Sequence, residues 1–211
     1  MSMRGGFITL EGTEGVGKST NLAFVAELLA SHGIQTVTTR EPGGTPLGEK
    51  VRSWILDADH GALAPNVETL LMFAARAHHL ERVIRPALAA GRWVICDRFT
   101  DATFAYQGGG RGADRALLDT LRTAVQEGLE PDLTLLLDAP LDVGRQRIAS
   151  REHDHFEREQ QPFFERVRES YLALAAAHPN RIKVVDATRP LVEVQAQIRA
   201  FVTALVEERG R

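Results

Sequence analysis

The stretch Gly12-Thr13-Glu14-Gly15-Val16-Gly17-Lys18-Ser19-Thr20 follows the pattern G-x-x-x-x-G-K-[ST]. Glycines at that spacing let the backbone turn tightly enough for successive N–H groups to face a di- or triphosphate. Lys18 then reaches the β- and γ-phosphates, and the Ser19 hydroxyl holds Mg2+. The same pattern also occurs in glycine-rich turns that bind nothing, so its surroundings decide. The run Phe7-Ile8-Thr9-Leu10 reads as a strand directly before it, and helical spacing begins at Ser19. That is the setting in which a helix amino terminus and its loop take up phosphate.

A phosphate-binding loop serves switches, motors, ATPases and small-molecule kinases alike. A GTPase switch carries D-x-x-G and N-K-x-D, and neither occurs in this chain. A kinase needs a second anion site facing the γ-phosphate, built of cations that hold the acceptor and neutralise charge in flight. Arg98 suits that role: it follows Asp97 at the end of the strand-like run Trp93-Val94-Ile95-Cys96. Asp97 is placed to position Mg2+ through water. Asp138 closes another apolar run, Leu133 to Leu137, and reads equally as a helix cap or as a catalytic acid. Between Arg145 and Arg158, arginines at 145, 147, 151 and 158 stand among acids and two histidines. Such a run is a solvated face in most proteins and a candidate lid in a phosphate-handling enzyme.

The elements that must position these residues are short apolar runs alternating with helical patterns. Phe7 to Leu10, Gln35 to Thr39, Trp93 to Cys96, Leu133 to Leu137 and Ile182 to Val185 read as strands, apolar on both faces as in a buried parallel sheet. Ser19 to Ser31, Val67 to Ala90, Ala113 to Glu127, Leu141 to Ser150, Phe163 to Ala177 and Leu191 to Glu208 have helical spacing. The alternation predicts a doubly wound α/β sheet with helices on both faces, and ligands bind such sheets at the carboxyl ends of the strands. The turn-rich Arg40-Glu41-Pro42-Gly43-Gly44-Thr45-Pro46 lies at one such end.

A single domain spanning 1–211 is expected, since the composition is 44% hydrophobic and 25% charged, without a linker or repeat. The net charge of −3 argues against a nucleic-acid partner. Cys96 is the only cysteine, which excludes an intramolecular disulfide. No apolar run approaches the roughly 20 residues of a membrane span, and residues 1 to 6 are too short for a signal peptide. A cytoplasmic protein without a membrane partner is expected.

Gly12 to Thr20 combine with Thr39-Arg40-Glu41-Pro42-Gly43-Gly44-Thr45, Asp97-Arg98-Phe99 and Ala105-Tyr106-Gln107-Gly108-Gly109-Gly110-Arg111. Together these resemble the bacterial thymidylate kinase family nearly end to end, Arg85-Pro86-Ala87-Leu88 and Pro131-Asp132-Leu133-Thr134 included. The resemblance implies a P-loop nucleoside monophosphate kinase fold, a five-stranded parallel sheet of order 2-3-1-4-5 with a lid at about 147–159. It implies γ-phosphate transfer from ATP to dTMP with Mg2+, giving dTDP and ADP, by a homodimer. A P-loop nucleotide kinase with another acceptor is the alternative. A P-loop ATPase or nucleotide-binding regulator without an acceptor is disfavoured by the Arg40 loop, Arg98 and the lid arginines.

By the same resemblance, Glu14 accepts a hydrogen bond from the sugar 3′-hydroxyl and Arg98 binds the dTMP phosphate with support from Arg40. Arg76 donates to the thymine edge, Thr103 and Gln107 add polar contacts, and Tyr106 packs against the deoxyribose so as to disfavour a 2′-hydroxyl. The transition-state cation comes in this family from a P-loop arginine or from the lid. Thr13, Glu14, Gly15 and Val16 are not basic, so the lid must supply it, with Arg151 first and Arg147 at the adenine or the lid base. Two positions depart from the family pattern. Asp154-His155-Phe156-Glu157 has His155 where relatives have arginine, which keeps Arg158 and a protonated His155 as alternatives to Arg151. Met72 stands where many members have a thymine-stacking aromatic, with Phe73 beside it as the preferred substitute.

Overall fold

The computed structural model of the chain describes residues 4–56, 63–148 and 161–210. Five strands, β1 (Phe7–Glu11), β2 (Thr36–Arg40), β3 (Trp93–Asp97), β4 (Leu133–Asp138) and β5 (Ile182–Asp186), form one parallel sheet. Its order is β2-β3-β1-β4-β5, as expected. Every strand runs one residue past its apolar run, so that Glu11, Arg40, Asp97, Asp138 and Asp186 end the five strands. The backbone ladder tolerates these residues because it continues regardless of side chain; Asp97 is opposite Leu10 on one side and Arg40 on the other. All the strand-terminal charges therefore collect at the carboxyl edge of the sheet.

The central strands are buried on both faces, as their composition requires, but the edge strands are not. β2 is half open to solvent and Val184 on β5 is 44% exposed. An edge strand has a neighbour on one side only, so flanking helices cover it incompletely.

Helix α1 (Lys18–Ser31) leaves the loop through Gly17, whose φ of 93° is open to glycine at little cost. It buries Val25, Leu28 and Leu29 on one face of the sheet, beside the carboxyl-terminal helix of residues 191–209 with its Val194, Ile198 and Val202. An eleven-residue helix that the sequence patterns did not show, α2 (Pro46–Leu56), follows the turn-rich stretch. Its start was written in the sequence: Thr45 Oγ1 accepts from Gly48 N at 3.0 Å as an amino-terminal cap, and proline suits the first helical position.

The helix predicted over Val67 to Ala90 is α3 (Pro65–His79), a π-helical turn (Leu80–Ile84) and α4 (Arg85–Ala89). Pro86 has no N–H to return to Arg82, and the wide turn absorbs the missing bond. A second π-helical segment, Phe104–Gly110, continues α5 (Thr100–Thr103) directly after β3, and the sequence patterns did not show it. α6 (Arg115–Gln126), α7 (Leu141–Ile148), α8 (Gln161–Ala177) and α9 (Leu191–Arg209) complete the described chain. Arg151, His155 and Arg158 lie outside the described residues.

Candidate active site

The loop between β1 and α1 sits where it does because glycines occupy its left-handed positions, Gly12 at φ 133° and Gly15 at φ 74°. Gly15 is also pressed against α7. A Cβ there would run into the Gly144 carbonyl oxygen, and one on Gly144 would run into the Glu14 carbonyl oxygen. The loop and α7 thus touch backbone to backbone, and position 15 has no room for a basic side chain. Lys18 Nζ donates to the carbonyls of Gly12 at 3.1 Å and Thr13 at 2.7 Å. Burial and the neighbouring Arg98 bring its pKa down to about 8. Ser19 and Thr20 are exposed on the first turn of α1.

Glu14, Arg98 and Tyr106 form one cluster. Glu14 Oε1 accepts from Arg98 Nη2 at 3.0 Å and from the Tyr106 hydroxyl at 2.7 Å, and Arg98 Nη2 also donates to the Tyr106 oxygen at 3.0 Å. Burial alone would raise the pKa of Glu14, but Arg98 and Lys18 hold it below the usual carboxylate range. Burial likewise opposes the charge on Arg98, yet Tyr106 and Glu14 keep its pKa well above the ordinary value. Glu14 Oε2 and Arg98 Nε are buried and have no partner, as is Asp97 Oδ1.

Arg76, on α3, is fully buried. Its Nε donates to Glu41 Oε2 at 2.7 Å, and its Nη2 to Thr103 Oγ1 at 2.8 Å and the Phe99 carbonyl at 3.2 Å. The guanidinium carbon lies 4.8 and 5.1 Å from the ring centres of Phe73 and Phe99, and Phe73 and Met72 both belong to the adjoining apolar cluster. Gln107 Nε2 donates to Glu68 Oε1 at 2.6 Å. The remaining atoms of these two side chains, Arg76 Nη1 and Gln107 Oε1, are buried without partners.

Other expected residues lie elsewhere. Arg40 is half-exposed and pairs with Glu49 of α2 at 2.8 Å rather than with the Arg98 cluster. Arg147 is exposed and donates to the Ala187 carbonyl at 3.1 Å, where β5 gives way to α9. Asp138 is held by both Nε and Nη2 of Arg168 at 2.7 and 2.8 Å, an ion pair to α8 that the strand-end position did not foretell.

Three buried acids were given no role by the sequence reading. Glu41, inside the Arg40–Thr45 motif, orients Arg76 and also accepts from His79 Nδ1 at 2.9 Å. Glu68 orients Gln107; its spacing from Met72 and Arg76, one and two helical turns, was the legible sign. Glu11 accepts from Phe99 N at 2.7 Å and from the Tyr171 hydroxyl at 2.8 Å, and burial with Asp101 nearby pushes its pKa up to about 8. Among the described residues no group of three His, Cys, Asp or Glu side chains could cage a metal. A Mg2+ here would rest on one or two protein oxygens and on substrate phosphates, as that ion commonly does. No described helix is long and apolar enough to cross a membrane.

Comparisons with known proteins point to one family. A family model described as thymidylate kinase matches residues 10–198. The thymidylate kinase of Chromohalobacter salexigens is 60% identical over 202 residues, covering 94% of this chain and 95% of its own. That of Methylococcus capsulatus is 57% identical over 203 residues, covering 96% and 97%. The crystal structure of thymidylate kinase from Ehrlichia chaffeensis superposes with a TM-score of 0.76 at 33% identity, covering 95% of this chain and 99% of that one. Sequence, sheet order and the joined loop and arginine clusters lead to one conclusion: the chain belongs to the thymidylate kinase family and is an ATP-dependent nucleotide kinase.

Proposed function

We propose that this site moves the γ-phosphate of ATP to dTMP with the residues assembled above. One observation carries the reading. Buried polar atoms normally find partners; among the described residues, four that have none lie on residues that the acceptor would meet, Glu14 Oε2, Arg76 Nη1, Arg98 Nε and Gln107 Oε1, while others lie on Asn21, Thr69 and Asp97. Glu14 Oε2 accepts from the sugar 3′-hydroxyl, while Arg98 holds the acceptor phosphate. At the base, an N–H of Arg76 and the carbonyl oxygen of Gln107 offer a donor beside an acceptor. Thymine presents the complement, a carbonyl beside an N–H; cytosine presents the reverse.

The acceptor phosphate is already anionic near neutral pH, because its second pKa is about 6. No general base is needed, and the work is alignment and charge neutralisation. The loop amides and Lys18 hold the triphosphate, Arg98 brings the acceptor oxygen towards it, and Arg151 supplies charge to the phosphoryl in flight. Ser19 and the unpartnered Asp97 oxygen are the protein groups that would hold Mg2+, which would offset the charge of the donor phosphates.

The working form is a homodimer in the cytoplasm. Leu47 and Trp54 on α2 and Val67 and Leu70 on α3 are exposed, Trp54 by 59%, on two helices that pack side by side. Exposed large apolar side chains on two neighbouring helices suit a second copy of the chain. Sedimentation velocity checks it: a monomer at micromolar concentration contradicts the dimer.

The acceptor assignment is tested with dTMP, dUMP, dCMP, UMP, CMP and AMP in a coupled assay. dTMP is expected to be the best acceptor, and dCMP to fall at least about tenfold below dUMP because its edge leaves two buried groups mispaired. UMP or CMP serving as well as dTMP would defeat the reading.

A further inference from the structure

The residue between Asp97 and Phe99 is held in an unusual backbone conformation. Arg98 has φ 67°, which costs a side-chain-bearing residue and persists only where its surroundings over-determine it. Four contacts do so. Arg98 N donates to the Leu10 carbonyl at 3.0 Å, Cys96 Sγ lies 2.9 Å from the Arg98 carbonyl oxygen, Arg76 Nη2 donates to the Phe99 carbonyl, and Phe99 N donates to Glu11 Oε1. The last differs from the others because a carboxyl at the base of the phosphate loop makes it, and because its second oxygen is anchored by the Tyr171 hydroxyl on α8. Glu11 is fully buried, and its side chain accepts from Phe99 N and the Tyr171 hydroxyl.

We propose that Glu11 is a positioning residue for phosphoryl transfer: by holding the Phe99 amide it keeps Arg98 in its left-handed conformation, aimed at the acceptor phosphate. This rests on the reading that Arg98 binds that phosphate. One carboxyl thereby ties together the strand that carries the donor loop, the turn that carries the acceptor's arginine and the helix that follows the lid segment. Either protonation state of the carboxyl can accept from Phe99 N, and glutamine can copy the neutral form, with its oxygen at Phe99 and its amide N–H at the Tyr171 oxygen.

Binding of dTMP and of thymidine, which lacks the phosphate, separates this role from general support of the core. Glu11→Ala is expected to weaken dTMP binding roughly 10- to 100-fold while thymidine and ATP shift less than about threefold. Glu11→Gln is expected to restore most of the loss. Should Glu11→Ala fail to fold, Glu11→Asp decides, since it keeps the carboxyl but withdraws the oxygen from Phe99 by one methylene; the same selective loss is expected. Equal weakening of dTMP and thymidine, or no weakening in a folded variant, overturns the inference. Arg98→Ala is the control for the reading beneath it. If that variant does not discriminate dTMP from thymidine, the phosphate assignment of Arg98 fails; if it does and the Glu11 variants do not, the inference about Glu11 alone fails.

Discussion

Gln107 gives its amide N–H to Glu68 across 2.6 Å, with both side chains buried. A carboxylate accepts only, so the Gln107 carbonyl must point the other way, and its direction is set by chemistry rather than by chance. Removing the acceptor frees the amide to turn over. Glu68→Leu is expected to lower the preference for dTMP over dCMP by about tenfold or more, with the KM for ATP unchanged. Steady-state kcat/KM for the two acceptors measures it; an unaltered ratio shows that Glu68 does not set the base preference.

Glu41 stands behind Arg76 as Glu68 stands behind Gln107. Its two oxygens serve Arg76 and His79, and all three side chains are buried. Glu41→Ala leaves a buried guanidinium without its anion, which costs about 3 to 5 kcal/mol. Urea unfolding is expected to show a loss of that order, accompanied by a raised KM for dTMP. Glu41→Gln, which still accepts one bond, is expected to fall between.

Gly144 in α7 offers a test in which two effects oppose each other. Alanine inside a helix is favoured over glycine by about 1 kcal/mol. Here the new methyl would collide with the Glu14 carbonyl, a backbone atom that cannot rotate away. Displacement of the phosphate loop outweighs the propensity, so Gly144→Ala is expected to raise the KM for ATP about tenfold or more. A more stable enzyme with unchanged kinetics would mean that α7 yields instead of the loop.

Stability should depend on pH through Glu11. Burial, with Asp101 nearby, holds its folded pKa at about 8, against 4.5 in the unfolded chain. Between those values the folded protein binds the extra proton, so this group's contribution to stability falls as pH rises from about 4.5 to about 8. Lys18, whose folded pKa is depressed to about 8, acts above that window and with opposite sign. Unfolding free energies measured from pH 5 to 8 are expected to decline more steeply for the parent chain than for Glu11→Gln.

Arg151→Ala is expected to lower kcat by several powers of ten while the KM for dTMP changes little, since such a cation acts mainly in the transition state. Unchanged kcat transfers the role to Arg158 or to His155. A histidine in that role would add a fall in rate as pH rises past about 6.5.

Much of the architecture was legible because it is encoded locally. Strand-helix alternation announced a parallel α/β sheet, and the Gly12 to Thr20 pattern announced its phosphate loop. The edge strands were overestimated as buried because a run of threonines and valines looks the same whether one neighbour covers it or two. Helix α2 was hidden by the Gly43-Gly44 turn before it, although Thr45 and Pro46 carried an ordinary helix start.

Residue types and spacing by themselves determined the chemistry of the donor loop and the cations around it, because phosphate recognition by consecutive backbone amides is a short-range property of the chain. Only the tertiary structure decided how the acids act. Glu11 meets Phe99 across 88 residues and Tyr171 across 160, Glu41 meets Arg76 across 35, and Glu68 meets Gln107 across 39. Each is a buried hydrogen bond between distant segments, and a buried carboxyl has no distinct pattern in a linear sequence. Its partner is chosen by the packing of β1, β3, α3 and α8 around the carboxyl edge of one sheet.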